Sequence, residues 1–204
     1  MEPLTLKKFD RYAHDCRTCT RALLCSVVNT KKERVVADLT LYFAYGSNLS
    51  PRQMYSRCPS SRVFGVAYLH DHALVFRGNS PRWNGGGVAS LVRKDDHVVS
   101  GLLYVMKSKD LAKLDAYEGA PSYYQRTQRV VVDQHNARWR AHTYLLPPDR
   151  ATRNTPSVKY LQQMADAYSR FGLPHSQLRS ALDRSAPLGL KPVAQHLVLC
   201  GRSA

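Results

Sequence analysis

The sequence has no long hydrophobic run. Of its 204 residues 44% are hydrophobic, yet no apolar segment approaches the roughly 20 residues of a membrane-spanning helix. The N-terminus lacks the apolar centre of a secretory signal, and Glu2, Asp10 and Asp15 are atypical of a transit peptide, which is usually poor in acidic residues. We therefore expect a protein without a membrane span and with enough residues for one well-formed core.

Cysteine is also scarce, and its number is odd. The five cysteines are Cys16, Cys19, Cys25, Cys58 and Cys200, and their spacing fits no disulfide framework. A reducing intracellular compartment, cytoplasmic or mitochondrial, is the simplest interpretation. Cys16 and Cys19 form a CxxC pair, but no second CxxC or HxxxH follows at zinc-site spacing, so helix-face cysteines are favoured over a metal site.

Acidic residues are few relative to basic ones. The chain has 30 Lys and Arg against 15 Asp and Glu, a formal net charge of +15. Residues 41–204 hold 22 of the basic and 10 of the acidic residues, so most of the excess lies there. Such a charge favours an anionic partner such as RNA, a ribonucleoprotein or a lipid surface. Glutamate is rarest, since only Glu2, Glu33 and Glu118 occur.

Two domains are predicted, with a boundary near residue 40. Residues 4–25 carry apolar or small side chains at the 3-4-3-4 spacing of an amphipathic helix, namely Phe9, Tyr12, Cys16, Cys19 and Leu23. This predicts a basic N-terminal extension over residues 1–40, mostly helical, ahead of a main domain over residues 41–204. The helix could pack on the main domain or on another subunit, and the pattern does not decide between them.

The main domain alternates short β-rich runs with helical segments. Seven runs separated by Gly, Asn, Pro and charged turns predict strands at 39–45, 63–69, 72–77, 87–92, 98–106, 129–134 and 137–146. Helical patterns cover 108–118, 157–171 and 175–184. The class is therefore α+β, with a small, strongly curved sheet or β-barrel flanked by helices. The helix after Ser157, with Val158, Leu161, Ala165 and Tyr168 on one apolar stripe, is interpreted as a packing element that ends at Gly172.

The first segment with chemical potential is the loop Tyr45–Leu49, after the first strand. Gly46, Ser47 and Asn48 suit a tight turn and offer backbone N–H groups. Converging amides at a strand end can hold a carboxylate or a developing oxyanion. Most such turns are simple loops, which is the alternative.

The second segment is the helix that ends in Glu118. Ser108 predicts its N-cap and Gly119 its C-cap. Glu118 follows Leu111 by seven residues and Leu114 by four, so its carboxylate lies on the inward face. Burial and the negative end of the helix dipole should both raise its pKa, as a group that takes and returns a proton requires. A partly exposed glutamate, or one paired with an arginine, is the alternative.

These two segments, in this order, resemble the gamma-glutamylcyclotransferase-like family. Its hallmarks are a Tyr-Gly-Ser-Asn loop after the first strand, here Tyr45–Asn48, and a helix ending Glu-Gly, here Glu118-Gly119. The likeness extends over about residues 41–184. Further features in family order lie at 77–80, 83–89, 99–104, 122–124 and 156–174.

The resemblance implies a reaction and roles for named residues. In this family the α-amine of a γ-glutamyl group attacks its own side-chain amide, which releases 5-oxoproline and an amine or amino acid without a metal or organic cofactor. Carried over by position, Glu118 moves the proton and Tyr45–Leu49 hold the glutamyl carboxylate or the oxyanion. Tyr124 and Tyr144 are implied to line the pocket, although the adjacent Tyr123 leaves the alignment uncertain by one position and ordinary barrel packing is the alternative.

A second function class stays open beside the enzyme. The chain could be a family member recruited as a basic, RNA-contacting structural subunit of a ribonucleoprotein such as a mitochondrial ribosome, with or without residual activity. The segment Arg138-Trp139-Arg140, together with Arg150 and Arg153, supports this alternative. Binding to an acidic membrane is the weakest alternative, because no basic amphipathic helix with bulky anchors is evident.

Overall fold

The computed structural model describes residues 38–150 and 152–186. All but the first two of these belong to one unit, Thr40–Ala204, of the two into which the chain divides. The predicted N-terminal helix and the Cys16/Cys19 pair lie outside the described residues. In the part of the chain that is described, no helix is long and apolar enough to cross a membrane.

The described residues form a closed β-barrel flanked by helices, which confirms the predicted α+β class. Its strands are β1 (Leu39–Ala44), β2 (Arg62–Ser80), β3 (Gly86–Lys107), β4 (Gln125–Asp133) and β5 (Arg138–Leu145). They are arranged in the order β1-β3-β2-β4-β5. β1 runs parallel to β5, whereas β2 pairs antiparallel with both β3 and β4, and β4 pairs antiparallel with β5.

The barrel has fewer and longer strands than the sequence predicts. The runs 63–69 and 72–77 are both parts of β2, and 87–92 and 98–106 are both parts of β3. The pairing register shifts between His70 and His72, where Asp71 has a left-handed φ of 55°. The polar residues here predict a turn, but the chain instead forms an irregularity of the β-bulge type, which bends the strand without ending it.

The helices pack around the barrel. They are α1 (Pro51–Arg57), α2 (Ser108–Glu118), α3 (Val158–Phe171) and α4 (His175–Ser185). Ser157 caps α3 by accepting a hydrogen bond from the Tyr160 N–H, and Gly172 ends it at φ 65°, both as predicted. Ser108 differs by one position, because Lys107 occupies the N-cap and α2 begins at Ser108 itself.

The end of β1 lies in close contact with β3. Gly101 of β3 lies against β1 so tightly that a Cβ there would lie 2.3 Å from the carbonyl oxygen of Ala44 and 2.7 Å from the ring of Phe43. Phe43 is fully buried. The absence of a side chain at position 101 therefore allows the end of β1 to approach β3 closely.

A buried aspartate anchors the first turn of α2. Asp110 accepts hydrogen bonds from the Ser60 N–H at 2.8 Å and the Ser60 hydroxyl at 2.6 Å, and Lys113 lies 3.0 Å away. Burial acts to raise the pKa of Asp110, but the bonds from Ser60 and the charge of Lys113 outweigh it and lower the pKa to about 2. The charged carboxylate thus ties α2, which carries Glu118 at its other end, to the segment after α1.

Candidate active site

The loop after β1 forms one wall of a pocket. Residues 47–49 make a 3₁₀ turn, in which the Leu49 N–H donates to the Gly46 carbonyl at 2.9 Å. Gly46 has an ordinary φ of −114°, so left-handed freedom is not why glycine is needed. Instead, a Cβ at this position would lie 3.0 Å from the Ala89 Cβ and 3.1 Å from the Tyr160 hydroxyl. Gly46 therefore allows the loop to approach β3 and α3 closely.

Asn48 connects this loop to Glu118. Its buried side-chain amide donates to Glu118 Oε1 at 2.9 Å and to the Tyr42 hydroxyl at 2.8 Å. Its Oδ1 accepts a hydrogen bond from Arg57, and its backbone carbonyl accepts one from the Tyr104 hydroxyl at 3.0 Å. These contacts fix the orientation of Asn48, so that it presents an N–H group to the carboxylate.

Glu118 lies in the last turn of α2 and faces inward. Leu111 and Leu114 on the same face are buried, and the Glu118 side chain is only 14% exposed. Gly119 ends the helix in the left-handed conformation, with φ 66°. The periodicity of α2 therefore delivers the carboxylate to the pocket, as the sequence pattern indicates.

Burial and nearby charges shift the pKa of Glu118 in opposite directions. Burial raises its pKa above the ordinary value, whereas the hydrogen bond from Asn48 and the charges of Arg57 and Arg82 act to lower it. Arg57 Nη1 lies 3.7 Å from Glu118 Oε1, and the Arg57 side chain is itself 8% exposed. Both readings of the sequence hold at once, since the glutamate faces inward and is also paired with an arginine.

Glu118 and the loop border a small pocket of about 30 Å³, which we term the inner pocket. It has room for about two water molecules. Its wall is made of five tyrosines, the loop, one residue of β3 and the glutamate: Tyr42, Tyr45, Gly46, Ser47, Asn48, Ala89, Glu118, Tyr124, Tyr144 and Tyr160.

The tyrosine hydroxyls of the inner pocket are held by hydrogen bonds. Tyr45 donates to the Tyr144 carbonyl, Tyr124 to the Ala89 carbonyl at 3.1 Å, and Tyr144 to Asp115 Oδ1 at 2.8 Å. Burial raises the pKa of Tyr45, Tyr124 and Tyr144 well above the ordinary value. The three rings therefore present neutral, fixed hydroxyl groups at neutral pH.

A larger cavity of about 290 Å³, which we term the outer cavity, adjoins the inner pocket. The two share Ser47, Glu118, Tyr124 and Tyr160 as lining residues. The other residues of the outer cavity come from α1, α2, the turn Pro81–Trp83 and neighbouring segments: Arg57, Ser80, Pro81, Arg82, Trp83, Val88, Ala116, Tyr117, Gly119 and Tyr123. The carboxylate of Glu118 therefore borders both spaces.

The structure brings together most of the residues singled out in the sequence. Seven of them line the inner pocket: Tyr45, Gly46, Ser47, Asn48, Glu118, Tyr124 and Tyr144. Leu49 does not, because its side chain is fully buried in the core and its N–H closes the turn. Of the two adjacent tyrosines, Tyr124 enters the inner pocket, whereas Tyr123 lines the outer cavity and donates to the Asn79 carbonyl at 3.2 Å.

Three side chains of the site were missed. Tyr42 carries no local signal beyond strand alternation, and Arg57 is one basic residue among many. Tyr160 belongs to α3, which the sequence assigned to packing alone, yet its hydroxyl accepts a hydrogen bond from the Ala89 N–H at 3.1 Å inside the pocket. The predicted apolar stripe of α3 is also wrong in one residue, since Val158 is 46% exposed.

In the segment predicted to contact RNA, Arg138–Arg140, the aromatic residue does not face the surface. Trp139 is 3% exposed, donates to Asp133 Oδ2 at 2.7 Å and packs edge-on against Phe64. It is therefore a core residue, and only Arg138 and Arg140 face the surface. The described residues include no group of three or more His, Cys, Asp or Glu that could hold a metal ion.

The fold and the pocket together define a helix-flanked β-barrel protein with a tyrosine-lined pocket that contains a buried carboxylate. A family model, "Gamma-glutamyl cyclotransferase, AIG2-like", matches residues 42–162. Gamma-glutamylcyclotransferase of Homo sapiens is 30% identical over 149 residues, which are 70% of this chain and 78% of that protein. The chain belongs to the gamma-glutamylcyclotransferase family.

Solved structures agree with this assignment. A structure named gamma-glutamyl cyclotransferase matches with a TM-score of 0.66 at 26% identity, over 78% of this chain and 98% of that one. YkqA from Bacillus subtilis matches with a TM-score of 0.60 at 19% identity, over 80% of this chain and 62% of that one, and so shares the fold.

Proposed function

We propose that this protein releases 5-oxoproline from a γ-glutamyl amino acid, peptide or amine by intramolecular aminolysis. The observation that carries the proposal is the position of Glu118, a buried carboxylate of raised pKa that lines two adjoining spaces beside the strand-end loop. Family membership supports the same class of reaction.

The reaction moves one proton from the attacking nitrogen to the leaving nitrogen. The α-amine nitrogen of the substrate attacks the γ-carbonyl carbon and closes a five-membered ring, and the amide C–N bond then breaks. Glu118, as a carboxylate, takes a proton from the attacking amine and returns it to the leaving nitrogen. A carboxyl whose pKa is shifted toward neutrality can do both, because it is a stronger base than an exposed glutamate and still a usable acid.

The loop is proposed to stabilise negative charge. Backbone N–H groups within Tyr45–Asn48 would hold the glutamyl carboxylate or the oxyanion of the tetrahedral intermediate. The Leu49 N–H is already engaged with the Gly46 carbonyl, so its role is to hold the turn in shape.

The rigid walls are proposed to select the conformer that cyclises. Nucleophile and electrophile belong to one molecule, and holding them at reacting distance supplies much of the acceleration. Tyr124 and Tyr144 suit this task, because their hydroxyls are fixed by hydrogen bonds to Ala89 and Asp115.

Release of 5-oxoproline from a panel of γ-glutamyl compounds tests the proposal. The panel includes glutathione and γ-glutamyl amines, and Glu118→Gln is compared with the wild type. We expect Glu118→Gln to lower kcat by about 10²- to 10⁴-fold, since it keeps the shape but cannot carry the proton. Asp149→Asn, at an exposed aspartate, is the matched control and should keep full activity. Release from none of the compounds would refute the proposal.

A further inference from the structure

The outer cavity has an unequal distribution of charge. Among the described residues that line it, Arg57 and Arg82 are the basic ones and Glu118 is the acidic one. Glu118 is paired with Arg57, so Arg82 is the remaining charged side chain that the described part of the cavity wall presents to an occupant.

Two arginines and one tyrosine form a stack at the cavity wall. The guanidinium carbon of Arg57 lies 3.5 Å from the ring centroid of Tyr117, and that of Arg82 lies 4.4 Å from it. Arg82 also donates to the Tyr117 carbonyl at 3.0 Å, and Arg57 donates to the Tyr117 hydroxyl. Contacts of this kind hold two like charges on one ring through cation–π attraction.

The two arginines differ in how their charge is balanced. Arg57 is buried and paired with Glu118. Arg82 is exposed on the turn Pro81–Trp83, and within the described residues no acidic oxygen lies within the 4.0 Å of an ion pair with it. The hydrogen bond from Arg82 to the Tyr117 carbonyl uses one of the five N–H donors of the guanidinium. Arg82 therefore meets the requirements of a carboxylate-binding group at the cavity.

We propose that Arg82, oriented by Tyr117, binds a carboxylate on the leaving group, so that the substrate is a γ-glutamyl amino acid or peptide and not a γ-glutamyl amine. This inference rests on the proposed function, in which Glu118 contacts the scissile amide and the loop Tyr45–Asn48 holds the glutamyl carboxylate or the oxyanion. The leaving group then extends into the outer cavity. A planar guanidinium recognises a carboxylate through paired N–H donors, whereas a leaving group with a cationic end would meet Arg82 as a like charge.

A set of three substrates tests the inference by changing one group at a time. γ-Glutamylalanine carries the carboxylate, γ-glutamylethylamide lacks it, and γ-glutamylalaninamide has a neutral carboxamide of similar size. We expect kcat/KM for 5-oxoproline release to be at least about tenfold higher for γ-glutamylalanine than for the other two, as is typical for one charged hydrogen-bonding pair.

Variants of Arg82 assign the preference to this residue. Arg82→Gln should reduce the ratio of kcat/KM between γ-glutamylalanine and γ-glutamylethylamide about tenfold, and Arg82→Lys should retain part of it because the charge remains. The ratio also cancels any effect of the Arg82 charge on the pKa of Glu118, since both substrates need the same proton transfer. Arg140→Gln, at an exposed arginine that lines neither cavity, is the matched control and should keep the wild-type ratio.

Each outcome decides the inference. A preference for γ-glutamylalanine that falls in Arg82→Gln supports it. Equal kcat/KM for the three substrates in the wild type, or a preference that survives in Arg82→Gln, overturns it while leaving the proposed function intact. Release from none of the three compounds overturns the proposed function and this inference together. Arg82→Lys gives a second, independent comparison if Arg82→Gln fails to fold.

Discussion

Arg57 should hold the pKa of Glu118 below the value that burial alone would give. Its Nη1 atom lies 3.7 Å from Glu118 Oε1, and both side chains are largely buried. An opposite charge at this distance lowers the pKa of a carboxyl by about 1–3 units. Arg57→Met keeps much of the side-chain length and removes the charge, so we expect the pKa of Glu118 to rise. Each unit of that rise corresponds to about 1.4 kcal/mol in the free energy of ionisation.

The scarcity of glutamate makes this pKa directly measurable. Labelling glutamate with ¹³C at Cδ gives three carboxyl signals, because the chain contains only Glu2, Glu33 and Glu118. Glu118→Gln removes one signal and so assigns it. Titration in the wild type and in Arg57→Met then yields the pKa of Glu118 without any substrate. The acidic limb of the profile of kcat/KM against pH should move to higher pH in Arg57→Met, because the reactive carboxylate then forms only at higher pH.

Arg57→Lys separates the charge from the other contacts of this residue. Lysine keeps the positive charge but loses the planar stacking on Tyr117. We expect the pKa of Glu118 in Arg57→Lys to stay closer to the wild-type value than it does in Arg57→Met. An unchanged or lower pKa of Glu118 in Arg57→Met would refute the argument, since burial would then be opposed by something other than the arginine.

Two further predictions concern stability. The pKa of Asp110 is lowered to about 2 from an ordinary 3.8, so its charged form stabilises the fold above pH 4, and this contribution is lost as the pH falls from about 4 to about 2. Asp110→Asn should therefore lower the free energy of unfolding at pH 7 by about 2 kcal/mol in urea titrations, and flatten that acid dependence; an effect as small as that of Asp149→Asn would contradict it. Gly101→Ala should destabilise the fold by about 3 kcal/mol or more, because its Cβ would lie 2.3 Å from the Ala44 carbonyl. Gly65→Ala, whose Cβ would have no atom within 4 Å, is the control, and equal urea midpoints for the two variants would exclude the steric explanation.

Local patterns in the sequence predicted most of the fold and part of the site. The end of α3 at Gly172 and the inward position of Glu118 depend on residues within one or two helical turns of each other, so spacing alone reveals them. The same holds for the loop Tyr45–Asn48, whose composition indicates a turn at a strand end. The number of strands was predicted less well, because Asp71 and its neighbours look like a turn when the pairing of β2 with β3 is not known.

The sequence by itself determined the class of fold, the turn after β1 and the face of α2 that carries Glu118, because each of these features depends on residues that are close together along the chain. Only the tertiary structure decided what surrounds the carboxylate. Asn48 and Glu118 are 70 residues apart along the chain, and Arg57 and Tyr117 are 60 apart. No local periodicity selects such partners; the closing of the barrel brings them together, and with them the charges that set the pKa of Glu118 and line the outer cavity.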